Sequence, residues 1–452
     1  MTTSLHRSHW SSRLGFILAT TGAAVGLGNI WKFPYMAGDN GGAAFVLVYL
    51  LCVLLIGLPI MLAEMMIGRR AQKNPVDSMI VLAKEASTSR YWSLVGWWGA
   101  IILILVLAFY SVVAGWALAY LFKSWGGVFN HVSASDVQSL WTHFLANPWE
   151  LLMWHALFMI MTLWVVARGV QRGLEKASKI MMPLLFIILI ILDGYATATP
   201  GFTKGLHFLF DPNFHKITGS VVISAMGHAF FTLAVGAGCI LIYGSYLEKN
   251  IRIGSAIFTI AGLDVLVAIL SGIAIFPLIF TYHLQPAGGP GLMFAVLPIA
   301  FSKMGGGQFF GGLFFLLLLF AAWTSSISMA EPLVALIIER TSIRRVQASI
   351  LVGTVAWIIG IGSVLSFNVW AKYKLFHRWN FFAVNTDLVT NIMQPLGGLA
   401  FSLFAGWYMD KKITQSELQF KNPWVYNSWR FLTRYVAPIA IIIIMLGALF
   451  SW

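Results

Sequence analysis

The chain has 452 residues, of which 59% are hydrophobic and only 10% are Asp, Glu, Lys or Arg. Soluble domains carry about 25% charged residues, so this composition, with a mean hydropathy of +0.82, excludes a soluble globular protein. The net charge of +13 does not indicate nucleic-acid binding, because no basic run is interleaved with exposed aromatic residues as that function requires. The loop "WAKYKLFHRW" at 370–379 is basic and aromatic, and no function is assigned to it. It fits instead the Lys and Arg that membrane proteins retain in their cytoplasmic loops.

Eleven apolar segments are each long enough to cross about 30 Å of hydrocarbon as an α-helix, and we number them 1 to 11 in chain order. Their predicted bounds are 12–36, 41–68, 91–123, 149–167, 178–196, 217–247, 254–280, 307–338, 346–366, 383–409 and 430–451. Short helices outside the membrane are predicted at 142–147 and 290–302. Most of the 29 Lys and Arg residues fall on one side if the N-terminus is cytoplasmic, which predicts that orientation in the plasma (inner) membrane.

Two segments are interrupted in the same way. Segment 1 contains "GAAVGLGN" at 22–29 and segment 6 contains "TLAVGAGC" at 232–239, although each glycine lowers helix stability by up to about 1 kcal/mol. Four segments lie between them, so the two run in opposite directions. Such paired, Gly-interrupted segments are typical of a transporter's binding site. We therefore predict one transmembrane domain over 1–452, with inverted repeats at about 12–196 and about 217–409 and an extra helix at about 430–451.

A break in a membrane helix frees backbone groups that can bind ligands. Freed carbonyl oxygens, with the side chains of Asn29 and Thr232, suit a hard cation such as Na⁺, and freed N–H groups at a helix start suit a carboxylate. Exposed backbone at this depth is tolerated only where it lines a cavity or is satisfied by its surroundings. An amino acid bound together with Na⁺ would satisfy both kinds of group. The alternative is that Gly22 and Gly26 form a small-xxx-small motif for close helix packing.

Three stretches resemble the neurotransmitter:sodium symporters: "SRLGFILATTGAAVGLGNIWKFPYMAGDNGGAAFVLVYLL" (12–51), "GHAFFTLAVGAGCILIYGSY" (227–246) and "FAAWTSSISMAEP" (320–332). The resemblance covers essentially the whole chain, and its eleven-segment length is similar to the bacterial branch of that family. It implies an all-α LeuT fold with eleven transmembrane helices, of which 1 and 6 are broken at mid-membrane. It also implies Na⁺-coupled uptake of amino acids by alternating access, without enzymatic activity.

The resemblance implies two sodium ions, both near the break in segment 1. The ligands of sodium 1 would be Ala24, Asn29, Thr232 and Asp264. The ligands of sodium 2 would be Gly22, Val25, Ala321, Thr324 and Ser325. From the residues alone, Asp264 could instead be a buried, paired carboxylate without an ion, and Thr324 and Ser325 could bond back to carbonyls of their own helix. An acid at Asp264 also predicts that transport is independent of chloride.

The resemblance places the substrate between the two breaks. The residues expected to contact it are Ala24, Leu27, Gly28, Val106, Tyr110, Phe231, Thr232, Ala234 and Met329. Backbone groups and the Tyr110 hydroxyl would hold the amino acid's head, and only apolar side chains would surround its side chain. An apolar pocket leaves the groups of polar substrates unpaired, so a broad preference for hydrophobic amino acids is expected.

The family's gates also have matching residues. Lys32 and Asp387 would form the outer ion pair, and Arg7 and Glu339 the inner one, with Trp10 and Tyr246 nearby. Lys lacks the planar fork of Arg, the common residue at this position in the family, which predicts an outer pair that is weaker or bridged by water.

The spacing of Gly173 and Pro183 resembles that of bacterial relatives in which the cytoplasmic end of segment 5 unwinds. The alternative is a plain helix that starts near Lys179 and is kinked at Pro183. Glu64 matches a family acid, and no role is assigned to it.

Two other functions remain open at this point: a proton-coupled amino-acid transporter of the same fold, with Asp264 or Glu64 carrying the proton, and an amino-acid sensor that does not transport. The expected partners are a small hydrophobic amino acid and the lipid bilayer, with no nucleic acid and no obligatory protein partner.

Overall fold

Segment 1 is broken where its glycines predict. The structure, a computed structural model, describes residues 9–130, 132–249, 251–286, 289–373 and 379–451. The first helix, Arg13–Ala24, starts after Ser12, whose hydroxyl accepts a hydrogen bond from the backbone N–H of Gly15 at 3.0 Å. It ends at Val25, where the backbone turns extended (ψ 104°). A second helical stretch, Gly28–Asp39, continues at an angle of 45° to the first.

Segment 6 is broken as well. Its two helices, Gly219–Thr232 and Cys239–Ser245, are separated by turns over 233–238. Three residues of these turns have positive φ: Ala234 (52°), Gly236 (88°) and Gly238 (78°). This left-handed backbone cannot belong to a right-handed helix, and glycine adopts it at little cost. The prediction that segments 1 and 6 are broken is confirmed.

The remaining segments are single long helices or helices with short π-helical stretches. Their bounds are Ala43–Ala71, Arg90–Trp125, Pro148–Ala167, Val170–Thr197, Ile253–Thr281, Gly307–Arg340, Arg345–Leu365, Phe381–Tyr408 and Pro423–Gly447. Over the described residues, nine helices can cross a membrane by length and composition, or ten when the bent pair of segment 1 is counted as one. The total reaches eleven transmembrane segments only if the two short helices of segment 6 are counted together as one more. The number of eleven transmembrane segments therefore stays a prediction.

Several boundaries differ from the prediction. Segment 5 begins at Val170 instead of 178, directly after Gly169 with its positive φ of 86°. The helix predicted at 142–147 is longer, Ala134–Ala146, because Ser133 and Asp136 form a reciprocal N-terminal capping box that the prediction overlooked. The piece predicted at 290–302 is two short elements, Gly289–Leu292 and Leu297–Lys303.

Three helices outside the long segments were not predicted: Pro75–Glu85, Phe202–Phe210 and Lys411–Leu418. On the first of them, Asp77 accepts a hydrogen bond from Arg340 at 3.1 Å, which joins this helix to the end of segment 8. Burial acts to raise the pKa of Asp77, but the hydrogen bonds from Arg340 and Asn74 outweigh it and hold that pKa below its usual range.

Segment 2 packs directly on the second helix of segment 6, and glycine allows the close approach. A Cβ atom added to Gly68 would overlap the carbonyl oxygen of Leu241 and lie 3.0 Å from the backbone nitrogen of Ser245. The second helix of segment 6 is thereby held in place against segment 2, which fixes one side of the break.

We expect Gly68→Ala to lower the thermal stability of the protein in detergent. The added methyl group would have to displace backbone atoms, and overpacking of this kind costs about 1–3 kcal/mol. Gly262→Ala is the matched control, because a Cβ atom there has no neighbour within 4 Å, and it should stabilise segment 7 by up to about 1 kcal/mol. Melting followed by size-exclusion chromatography measures both, and equal shifts in the two variants would contradict the packing argument.

Candidate functional site

The two breaks face each other in the middle of the molecule. A Cβ atom on Gly28 would lie only 3.3 Å from the Cα atom of Thr232. The Asn29 side chain stabilises the first break, since its Oδ1 atom accepts a hydrogen bond from the backbone N–H of Gly26 at 3.0 Å. Both broken ends therefore present their backbone groups to one shared space.

Three residues predicted for sodium 1 meet in that space. Asn29 Nδ2 donates to the Asp264 side-chain oxygen Oδ1 at 2.8 Å and to its backbone carbonyl at 2.9 Å. The Thr232 hydroxyl lies 3.2 Å from both carboxylate oxygens of Asp264. All three residues are buried. Ala24, the fourth, is the last residue of the first helix, where carbonyl oxygens lose their helical partners.

Asp264 has hydrogen-bond donors around it but no cationic side chain. Among the described residues, none of its carboxylate oxygens has a Lys, Arg or His nitrogen within 4.0 Å. An ionised carboxylate buried at membrane depth is costly unless a cation compensates it. The hydrogen bonds from Asn29 and Thr232 leave the negative charge of an ionised Asp264 uncompensated, so the site suits a bound cation or a proton, and a paired carboxylate without an ion remains the alternative.

The groups predicted for sodium 2 also lie together. The Ser325 hydroxyl donates to the Gly22 carbonyl at 3.1 Å and to the Val25 carbonyl at 3.2 Å, across the interface between segments 8 and 1. The Thr324 hydroxyl bonds within its own helix, to the carbonyls of Phe320 at 3.0 Å and Ala321 at 3.1 Å. The Thr324 hydroxyl therefore bonds to carbonyls of its own helix, whereas the Ser325 hydroxyl bonds to carbonyls of segment 1.

A cavity of about 20 Å³ lies between the breaks. Most of the residues predicted to contact substrate line it, namely Ala24, Gly28, Val106, Tyr110, Phe231, Ala234 and Met329. Leu27 and Thr232 do not line it; the Leu27 N–H donates to the Tyr110 hydroxyl at 2.8 Å. Further lining residues that were not predicted as substrate contacts are Ala23, Gly26, Leu103, Ala237, Cys239, Ser325 and Gln394.

Gln394 makes the prediction of an entirely apolar side-chain pocket wrong. Its side chain is buried, and its Oε1 atom has no hydrogen-bond partner among the described residues. The signal was present in the sequence, because an amide inside an apolar segment needs a partner. The same argument was applied to Asn29 but not to segment 10.

A larger cavity of about 970 Å³ lies on the side predicted to be extracellular, and both Lys32 and Asp387 line it. No ion pair joins these two described side chains within 4.0 Å, so the structure does not form the predicted outer pair. The Lys32 ammonium lies instead 4.5 Å from the centre of the Phe231 ring, a cation–π contact. Phe231 lines both this cavity and the small one, so its ring separates them.

The opposite side is closed around Trp10. Its indole N–H donates to the Tyr243 carbonyl at 3.1 Å, and its ring lies 5.2 Å from the Tyr243 ring and 6.1 Å from that of Tyr246. The Tyr246 hydroxyl donates to Glu331 at 2.7 Å. Arg7 lies outside the described residues, and its predicted partner Glu339 accepts hydrogen bonds from the backbone and side chain of Asn74, both at 2.9 Å.

Segment 5 is helical across the predicted unwinding motif. Gly173 lies in a π-helical stretch, Val170–Glu175, that continues into Lys176–Thr197 with Pro183 inside it. The regular α-helix begins at Lys176, close to the alternative start near Lys179, and unwinding stays a prediction. Glu64 contacts the other break, where its Oε1 atom accepts a hydrogen bond from the Gly236 N–H at 2.5 Å.

Two broken membrane helices that gather backbone and side-chain oxygens around a small central cavity define an ion-coupled transporter of the LeuT fold. The model of the sodium:neurotransmitter symporter family matches residues 7–136 and 142–451. The chain belongs to this family.

The relatives agree with that assignment. An uncharacterized sodium-dependent transporter of Bacillus subtilis, YhdH, is 39% identical over 97% of each chain. One from Haemophilus influenzae is 32% identical over 99% of this chain and 100% of its own length. Among solved structures, the crystal structure of MhsT in complex with L-phenylalanine is 42% identical and superposes with a TM-score of 0.91 over 98% of this chain and 100% of that one.

Proposed function

We propose that the protein is a symporter that couples the inward movement of sodium to the uptake of hydrophobic L-amino acids, both aliphatic and aromatic. The observation that carries the proposal is the buried carboxylate of Asp264, held by Asn29 and Thr232 at the junction of the two breaks, with no cationic side chain of the described residues beside it. A bound Na⁺ supplies the missing positive charge. Ala24, Asn29, Thr232 and Asp264 would hold one ion, and Gly22, Val25, Ala321, Thr324 and Ser325 a second.

The cavity beside these groups supports an amino-acid substrate. Gly28 and Tyr110 lie at one end, where backbone N–H groups and a hydroxyl suit a carboxylate. The rest is lined mainly by apolar side chains, including Val106, Phe231 and Met329, and Met adapts to different shapes. The related MhsT was crystallised with L-phenylalanine, in agreement with a hydrophobic substrate.

The arrangement of cavities supports alternating access. Trp10 closes the side predicted to be cytoplasmic, while the cavity of about 970 Å³ reaches Phe231 from the other side. Opening toward the cytoplasm requires the contacts of Trp10 to break, and unwinding at Gly173 and Pro183 would assist it. The two inverted repeats and the cytoplasmic N-terminus belong to the same proposal, which places the protein in the plasma membrane.

Uptake of labelled leucine into proteoliposomes tests the proposal. An imposed Na⁺ gradient should drive accumulation, and replacing chloride with gluconate should leave the rate unchanged because Asp264 already carries the negative charge. Unlabelled Ile, Phe and Trp should compete, whereas Asp and Lys should not, since their charged groups would remain unpaired in the pocket. Accumulation driven by a pH gradient without Na⁺ would show a proton-coupled transporter instead, and binding without accumulation would show a sensor.

A further inference from the structure

Gln394 is placed at the substrate cavity by an irregularity in segment 10. It directly follows a π-helical stretch, Leu388–Met393, and precedes Pro395, which has no N–H to donate. The Trp98 indole donates to the Met393 carbonyl at 2.9 Å, which fixes this part of the backbone. The backbone of Gln394 also lies against Gly236, where an added Cβ atom would overlap the Gln394 carbonyl oxygen. Segment 10 thus reaches the cavity beside the break in segment 6.

The side-chain oxygen of Gln394 is buried and unpaired among the described residues. The residue is 4% exposed, and Oε1 has no partner among the described residues. A buried amide oxygen without a hydrogen bond is costly, and most native buried polar groups are paired. π-helical stretches occur often at functional sites, and this one ends immediately before the residue whose side chain lines the cavity.

The other polar side chains of the cavity wall already have partners. The Tyr110 hydroxyl accepts from the Leu27 N–H at 2.8 Å, the Ser325 hydroxyl donates to Gly22 and Val25, and the Cys239 thiol lies 3.3 Å from the Ser328 carbonyl. Oε1 of Gln394 is therefore the side-chain acceptor left over on the described wall of the cavity.

The position of this acceptor suits the far end of a substrate side chain. Tyr110 lies near the place expected for the substrate's carboxylate. Leu103 lies seven residues before it on the same helix, which is about 10 Å along the helix axis. Both residues line the cavity, as does Gln394. Gln394 contacts the part of segment 6 that follows Thr232, beyond the ion site. A side chain that extends along the cavity away from Tyr110 therefore approaches the carboxamide.

We propose that Gln394 is a specificity-determining residue whose carbonyl oxygen accepts a hydrogen bond from the side chain of an aromatic substrate, the indole N–H of tryptophan or the phenolic O–H of tyrosine. This inference rests on the proposed amino-acid transport. An indole N–H can only donate, so it matches Oε1. Aliphatic substrates bring no donor to Oε1, so they gain nothing from this acceptor.

The experiment compares substrates that differ only in the donor. Tryptophan and 3-benzothienylalanine, in which sulfur replaces the indole N–H, compete against labelled leucine in proteoliposomes, as do tyrosine and phenylalanine. The wild-type protein should favour tryptophan over its isostere by about three- to tenfold, the range that one neutral hydrogen bond supports. In Gln394→Met, which keeps the length of the side chain, the ratio should fall to about one while competition by phenylalanine stays unchanged.

Asn385→Leu is the matched control. Asn385 is another buried amide of segment 10, but it donates to the Leu105 carbonyl at 3.4 Å and lines neither cavity. Its loss should leave the tryptophan-to-isostere ratio at the wild-type value. Equal competition by tryptophan and its isostere in the wild type overturns the inference even if Gln394→Met fails to fold, as does an unchanged ratio in that variant. Absence of sodium-driven leucine uptake in the wild type would overturn the proposed function instead.

Discussion

Asp264→Asn should abolish sodium-driven uptake while leaving the protein folded. The substitution keeps the size of the side chain but removes the negative charge between Asn29 and Thr232. Removing one partner from a buried pair of opposite charges costs about 3–5 kcal/mol, which corresponds to a loss of roughly 100-fold or more in affinity for Na⁺. We expect the concentration of Na⁺ that half-saturates uptake to rise beyond the physiological range.

Two measurements separate this loss from misfolding. Na⁺ should raise the melting temperature of the wild-type protein, because a ligand at about 100 times its dissociation constant stabilises the folded state by about 2.7 kcal/mol, and this increase should be much smaller in Asp264→Asn. Asp193→Asn is the control, since Asp193 is also a membrane-segment carboxylate whose buried oxygens lack described partners, but it lies in segment 5, away from the breaks. Normal sodium dependence in Asp264→Asn would contradict a role for Asp264 in ion binding.

The second large effect concerns two adjacent serines of segment 8. Ser325→Ala should weaken Na⁺ binding about 10- to 100-fold, because the Ser325 hydroxyl is the group that reaches across to the Gly22 and Val25 carbonyls and would be lost as an ion ligand. Ser326→Ala should have little effect, since the Ser326 hydroxyl donates at 2.9 Å to Ala322 within its own helix. The measurement is the Na⁺ dependence of leucine uptake in both variants.

This pair of substitutions removes the same atom one position apart. Both serines are buried, so a general cost of removing a buried hydroxyl would affect the two variants equally. A reduced affinity for Na⁺ in both, or in neither, would exclude the assignment of Ser325 to the second ion.

The breaks were predictable from the sequence because their cause is local. Glycines and a following amide at Asn29 disfavour a continuous helix whatever surrounds them, and the structure places Asn29, Thr232 and Asp264 together as expected. Asp264 lies in the middle of a long helix, Ile253–Thr281, which offers no local signal, so its position was inferred only through the resemblance.

The missed features depend on contacts between distant parts of the chain. Lys32 was expected to pair with Asp387, but the Lys32 side chain lies over the Phe231 ring. Which of these two neighbours Lys32 contacts depends on the folded arrangement and not on the local sequence. The amide of Gln394 indicates a polar contact somewhere along segment 10, but the sequence does not show that this face of the segment meets the break in segment 6. The early start of segment 5 follows from the positive φ of Gly169, which composition does not specify.

The first helix of segment 6 ends in two adjacent residues with different neighbours. Phe231 separates the two cavities, and the hydroxyl of Thr232 touches Asp264. A shift of this helix end therefore alters both the barrier above the amino acid and the geometry around the ion. By thermodynamic linkage, any factor by which Na⁺ tightens the binding of the amino acid is the factor by which the amino acid tightens the binding of Na⁺. The adjacency of Phe231 and Thr232 thus offers a direct physical route for this coupling, and a measured effect of Na⁺ on amino-acid affinity should be matched by an equal effect of the amino acid on Na⁺ affinity.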